Sequence, residues 1–252
     1  MGASALILKP IHALIIGDEI LSGKRQDKHL TYLINTLKKF DFMLAGANYV
    51  GDSEEDIKQC IFNKKDCILF SFGGIGATPD DRTRQAAASA NNIAIERHPE
   101  AIALIEKQFG KDAYPKRVLM GELPKNAKLI PNTINNIPGF SLHDHHFMPG
   151  FPEMAWPMIE WVINHYYLEF SKEKTTDDQS LWIDDRSEST LIDLMRSIEK
   201  QFTDVRIYSL PKLSPNKTLE FGIKGDKQQV KNAMLFLKNY LLDEKISWRE
   251  NK

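Results

Sequence analysis

The chain has 252 residues, 42% of them hydrophobic, which excludes wholesale disorder and leaves ample side chain for a buried core. Residues 171–252 hold 15 Lys/Arg against 14 Asp/Glu and residues 1–170 hold 18 against 20, so neither part is a polyanion-binding surface and a nucleic-acid partner is disfavoured. Cys60 and Cys67 are too few for a disulfide scaffold, no apolar run has membrane-span length, and Met1 to Lys9 lacks a basic signal-peptide start, so a cytoplasmic protein is expected.

Ile11 to Ile16 reads as a buried aliphatic strand ended by Gly17, with Asp18 and Glu19 at its carboxyl end. Open α/β sheets bind ligands at that end of their strands, so these acids either take part in chemistry or cap the next helix. Leu30, Leu33, Ile34 and Leu37 form a helical stripe over residues 28–40. A second strand, Phe42 to Val50, ends at Gly51-Asp52-Ser53, and Ser53 is a candidate N-cap before Glu54, Glu55 and Asp56. The third strand, Asp66 to Phe72, runs into Gly73-Gly74-Ile75-Gly76-Ala77-Thr78-Pro79-Asp80-Asp81-Arg82-Thr83. Glycines let a ligand approach the backbone, and free amides at a helix start suit a phosphate. Paired carboxylates would repel that phosphate unless a divalent cation sits between them or one is protonated. The stretch is therefore either a phosphate-and-metal site or a plain turn whose aspartate caps the following helix. Three βα units in succession predict a parallel sheet whose strand ends bring Asp18, Glu19, Asp52 and residues 73–83 to one crevice.

A helix is expected over Arg84 to Ala90, and Arg97-His98-Pro99-Glu100 opens another reaching Gly110; Arg97 either clamps a phosphate or pairs with a neighbouring acid. Strands follow at Lys128–Ile130 and His145–Met148, with Pro138-Gly139-Phe140 between them. Pro149-Gly150-Phe151-Pro152 is a ligand loop or a simple turn into a Trp156–Tyr167 helix. His143-Asp144-His145-His146 resembles a metal-binding run, but no second cluster closes such a site. The polar residues 171–178 are the expected boundary. After them the order strand (Leu181–Ile183), helix (Glu188–Phe202), strand (Val205–Leu210), strand (Thr218–Lys224), helix (Gln228–Leu241) predicts a small α+β domain. Gly222 to Gly225 reads as a turn at a strand end.

Gly17-Asp18-Glu19-Ile20-Leu21-Ser22-Gly23, the Gly73–Thr83 stretch, Glu96-Arg97-His98-Pro99-Glu100 and Pro149-Gly150-Phe151-Pro152 resemble, in this order, the motifs of MoaB/Mog-like molybdopterin-binding domains, and most of all the amino-terminal part of CinA proteins. Asp27-Lys28-His29 stands where the family usually has Asp-x-Asn, Ala77 where it has proline, and Gly121, after Arg117-Val118-Leu119-Met120, where alanine is usual. The resemblance implies a three-layer, mostly parallel sheet over residues 1–170 and a KH-like α+β domain over 171–252, for which Glu188-Ser189 and Tyr208-Ser209-Leu210-Pro211 are landmarks. The amidohydrolase domain that follows in CinA has no counterpart before Lys252 and its activity is not expected. What the resemblance implies is a pyrophosphatase dependent on Mg, Mn or Co that acts on ADP-ribose or a related dinucleotide such as FAD. The alternative is a molybdopterin-binding or cofactor-biosynthesis protein without hydrolase activity. Asp18, Glu19, Asp52 and Asp81 are the implied catalytic acids, with Asp18 and Asp81 on the metal. Gly17, Ser22, Gly73, Gly74, Gly76, Thr78, Asp80, Thr83, Pro149, Gly150 and Pro152 would hold a nucleotide or pterin, in a protein expected to be a homo-oligomer.

Overall fold

Strand β1 (Ile11–Ile16) is the axis of the first unit in the computed structural model, which describes residues 8–171, 176–212 and 218–250. It is followed by α1 (Asp18–Leu21), α2 (His29–Lys39), β2 (Leu44–Val50), α3 (Glu54–Phe62), β3 (Ile68–Phe72) and α4 (Thr83–Ala90). Then come β4 (Ile95–Arg97), α5 (Pro99–Phe109), β5 (Glu122–Pro124), β6 (Lys128–Ile130), β7 (Gly139–Leu142), β8 (His145–Met148) and α6 (Pro152–Val162). The six-stranded sheet runs β2-β1-β3-β8-β7-β6; β2, β1, β3 and β8 are parallel, and β7 and β6 add antiparallel at one edge. Strands buried on both faces have no polar alternation, and β3 (Ile-Leu-Phe-Ser-Phe) is buried at every position.

Period-two alternation sends successive side chains of one strand into different layers. Ile11, Ala13, Ile15, Phe70 and Phe72 pack with Leu33 and Leu37 of α2 and with Ala155, Met158 and Ile159 of α6. Leu14, Ile16 and Leu69 pack on the opposite face with Ile57 and Ile61 of α3, Ala86 and Ala87 of α4 and Ala101 of α5. Each fully buried Leu, Ile or Phe contributes about 1.5–3 kcal/mol, so the two layers hold the strand ends in register. Helix, sheet and helix make three layers, as expected.

The second unit, Lys172–Lys252, comprises β9 (Thr176–Asp184), α7 (Ile192–Gln201), β10 (Val205–Lys212), β11 (Thr218–Asp226), α8 (Lys227–Asp243) and β12 (Trp248–Glu250). Its antiparallel sheet is ordered β10-β11-β9-β12 and buries Leu181, Ile183, Phe221 and Ile223 against Leu194, Ile198, Val230 and Leu237 of the helices. Asp226 caps α8 by accepting from the amides of Gln228 and Gln229, both at 3.0 Å.

Four expectations need correction. Residues 172–175 of the expected boundary lie outside the described residues, and residues 176–178 are strand, because they pair with residues 224–226 of β11. Gly222 to Gly225 is not a turn: Gly222 pairs with Tyr208 on one side and Ser180 on the other, inside β11. Gly139–Leu142 is a buried strand paired with β8 across a turn at His143, whose φ is +54°. The second-unit order ends in one further strand, β12.

Candidate functional site

Because β2, β1, β3 and β8 are neighbours and parallel, their carboxyl ends open at one edge of the sheet. β1 feeds β2 on one side and β3 lies on the other, so the loops after β1 and β3 flank a topological switch point, where open α/β sheets accept ligands.

The loop after β3 is built from inside. Gly73 (φ +106°) donates its amide to Met148 O at 3.0 Å, and Gly74 (φ +67°) accepts from the Thr83 amide at 3.0 Å. Side chains at these two positions would overlap Ile16 O and Thr83 Oγ1. Thr83, fully buried, donates its hydroxyl to Gly73 O at 2.9 Å. Asp81 Oδ2 accepts from the amide and the hydroxyl of Thr78, at 2.8 and 2.5 Å. Asp81 therefore does not cap α4; the cap residue is Arg82, which gives no side-chain bond. Asp80 is exposed. Among the described residues, the amides of Gly74, Ile75, Gly76 and Ala77 donate to no protein acceptor, although this part of the loop is half-buried.

The loops after β1 and β2 hold each other. The Asp18 amide donates to Asp52 Oδ2 at 3.0 Å and the Asp52 amide to Asp18 Oδ1 at 3.3 Å, while the Gly17 amide donates to Val50 O. Partial burial, with the nearby charges of Asp18, Glu19 and Asp80, raises the Asp52 pKa above its ordinary value. Glu19 turns back beneath Gly17 and lies 3.8 Å from Arg25 Nη1. Ser22 caps the end of α1 through its amide and is exposed.

The Pro149–Pro152 loop closes the other side. A side chain at Gly150 would come within 3.5 Å of Gly73 Cα, and Pro152 begins α6. His29, 4% exposed, contacts Gly150 O through Nε2 at 3.2 Å and stacks on Phe72 at 4.6 Å. Burial lowers its pKa, so the ring is neutral near pH 7. Asp27 accepts from the amides of His29 and Leu30 and from Tyr49 Oη, at 2.8, 3.2 and 2.8 Å. Beside it Ile20, Leu21, Arg25, Leu30, Thr31 and Tyr49 line an open cavity of about 580 Å³. It lies toward the β2 edge, on the Asp27 side of the Asp18–Asp52 pair, rather than over the glycine loop.

Not every candidate belongs here. Arg97 pairs with Glu122 at 3.4 Å across β4 and β5. The histidine run is structural: His145 Nε2 meets Lys64 O at 3.0 Å, and His146 is held between Ser141 Oγ and Tyr167 Oη at 2.8 and 2.7 Å. Among the described residues no three His, Cys, Asp or Glu side chains gather as a metal cage. One or two carboxylates with a ligand's own phosphate oxygens still fit a magnesium-type ion. Arg84, 3% exposed, was hidden in sequence as one arginine in an alanine-rich helix; Nη2 donates to Gly76 O at 2.6 Å and Nη1 to Leu119 O and Glu122 O.

Residues 12–169 match the family described as probable molybdopterin binding domain. A CinA-like protein of Anaeromyxobacter dehalogenans is 29% identical over 166 residues, 62% of this chain and 40% of that protein. This chain thus spans about 40% of the CinA-like relatives' length. A protein of Saccharolobus islandicus is 25% identical over 242 residues, covering 90% of this chain and 91% of its own. Among solved structures, the CinA protein of unknown function from Thermoplasma acidophilum shares the fold, with a TM-score of 0.58 at 22% identity over 62% of this chain and 97% of that one. With well over half of its length matched and the four strand-end loops in place, the chain belongs to the molybdopterin-binding domain family and stands close to its CinA-like members.

Proposed function

We propose that the crevice binds a small phosphate-bearing heterocycle of the molybdopterin class. One observation carries this reading: four successive amides, Gly74 to Ala77, that have no acceptor among the described residues, in a half-buried loop. A run of successive backbone N–H groups without protein partners makes a cradle for an anion. Asp18, Asp52 and the Pro149–Pro152 loop would border the remainder of the ligand. Isothermal titration of the full chain with molybdopterin under anaerobic conditions tests it; the expected result is saturable binding that Gly74→Val abolishes. No heat with molybdopterin, and none with any phosphate-bearing nucleotide, rejects it.

A second reading is favoured by the acids at the same edge, which a binding site for an anion alone does not need. In it the crevice hydrolyses the diphosphate of ADP-ribose or FAD. The glycine-loop amides would hold one phosphate, and Asp52, its pKa raised, suits the base that takes a proton from the attacking water. A Mg, Mn or Co ion held by Asp18 and Asp81 together with the diphosphate would neutralise developing charge. Phosphorus NMR of ADP-ribose incubated with the protein and each metal separates the readings: two monophosphate resonances support hydrolysis, and an unchanged diphosphate leaves the binding protein.

A further inference from the structure

We infer that Arg84 is the positioning residue of the glycine loop and the source of the positive charge that an anion meets there. The inference rests on the anion-binding reading above, to which it adds the residue that makes the cradle work. Arg84 is 3% exposed, and among the described residues its guanidinium bonds only to backbone carbonyls: Gly76 O in the loop, and Leu119 O and Glu122 O in the segment behind it. No carboxylate among the described residues lies within ion-pair distance of it, although Asp81 and Glu122 are near enough to favour its charge. Its Nε is buried with no acceptor among the described residues.

A buried cation is normally paired, because leaving water is costly and carbonyl dipoles compensate only in part. Arg84 sits in the first turn of α4, directly after the loop, and accepting its Nη2 proton commits the Gly76 carbonyl to the inner side. With that carbonyl held inward, the neighbouring amides are free to face a ligand, and the guanidinium lies behind them. The missing counter-charge is then the ligand's phosphate. Alanines at 86–88 let the helix approach closely enough for the side chain to be enclosed. The planar fork explains why arginine rather than lysine stands here: three carbonyls on two segments need several donors in fixed directions.

The test uses the full chain with inorganic pyrophosphate and ADP-ribose as probes, and compares Arg84→Lys, which keeps the charge, with Arg84→Gln, which keeps donors without charge. The expected order of affinity is wild type, then Arg84→Lys a few-fold weaker, then Arg84→Gln weaker by about tenfold or more, one unit charge removed at short range in a poorly screened setting. The gap between the two variants should persist at 0.5 M salt, which would erase the contribution of a surface lysine. Arg84→Gln binding as wild type does, or Arg84→Lys binding as weakly as Arg84→Gln, overturns the charge role. Amide exchange at Thr78 and Thr83 reads the positioning role without any ligand: acceleration in both variants is expected, and unchanged exchange overturns it. Should Arg84→Gln fail to melt cooperatively, Arg84→Met, uncharged and of similar length, takes its place in the charge comparison, and Arg84→Lys carries the exchange measurement. If wild type binds neither probe, nor molybdopterin, while exchange accelerates as expected, it is the anion-binding reading that fails.

Discussion

Glycine meets opposite surroundings in the two units. At the end of β3, Gly73 and Gly74 turn the chain with positive φ, in space already filled by Ile16 O and Thr83 Oγ1, and the amides that follow find no acceptor among the described residues. Inside β11, Gly222 takes part in the ladder on both sides and lies under the ring of Tyr208, whose hydroxyl bonds to Asp178 Oδ1 at 2.9 Å. Burial, then that bond, lifts the Tyr208 pKa to about 12, so the ring stays neutral as a lid. Parallel strands stop together at one edge and leave backbone donors there, whereas an antiparallel interior uses them. A glycine cluster therefore turns the chain at a strand end in the first unit and lies on a covered sheet surface in the second.

Acid separates the units most strongly. All seven histidines precede residue 166, so the second unit has none. His29, His145 and His146 are buried with lowered pKa values, that of His146 falling to about 3, and desolvation is the leading cause in each. The unfolded chain protonates these rings near 6.5 and the folded one at lower pH. Their contribution is thus complete above pH 6.5 and declines as the pH falls below it, by about 1.4 kcal/mol per pH unit down to about 3 for His146 alone. Hydrogen exchange by segment at pH 7, 5.5 and 4 should show the first unit losing protection before the second, and His146→Gln should flatten the slope. Equal loss in both units would break the distinction.

Next in size is the loop acid. Asp81→Asn retains an acceptor for the Thr78 amide and hydroxyl but removes the charge. On the hydrolytic reading, loss of one electrostatic contact costs roughly 3–4 kcal/mol, a turnover fall on the order of 100–1,000-fold, with melting unchanged. Wild-type turnover with normal melting would remove Asp81 from the chemistry.

Much of this edge was legible beforehand because each signal was local. Ile11–Ile16 stops at Gly17, the Ser53 cap precedes three acids, and the glycine run sits directly after an apolar strand. What escaped depended on partners outside the stretch being read. Gly139–Leu142 is a strand between β6 and β8, and the glycine of Pro138-Gly139 hid it. Gly222 reads as a turn until Tyr208 covers it. Arg84 carries no motif of its own, and its three acceptors come from residues 76, 119 and 122.

The glycine contrast itself is tested by alanine at both places. Gly73→Ala forces a β-carbon against backbone oxygen at φ +106°, and such strain costs about 1–3 kcal/mol, so melting of the first unit should fall and phosphate binding vanish. Gly222→Ala meets first the Tyr208 ring, which can swing outward, and the expected cost is about 1 kcal/mol or less. Equal losses in separate thermal melts would mean that the lid is as rigid as the loop.

The smallest effect is expected where the first unit holds its own charges apart. Asp52 and Asp18 exchange amide-to-carboxylate bonds, yet the folded state disfavours the Asp52 charge, first through burial and then through Asp18, Glu19 and Asp80. With its folded pKa above the ordinary value, Asp52 holds its proton longer in the folded chain. Stability therefore declines as pH rises from the ordinary carboxyl range through the raised value, and the penalty is complete at pH 7. Asp52→Asn keeps an oxygen to accept the Asp18 amide and removes the repulsion. Because the side chain is only partly buried, the gain should be below about 0.5 kcal/mol, a rise of less than about 2 °C in Tm at pH 7 and none at pH 3. The same variant should bind molybdopterin or ADP-ribose no worse if Asp52 is only a brace, and should lose hydrolysis if it is the base. A lower Tm at pH 7 would mean that the loop pair needs the charge it was expected to tolerate.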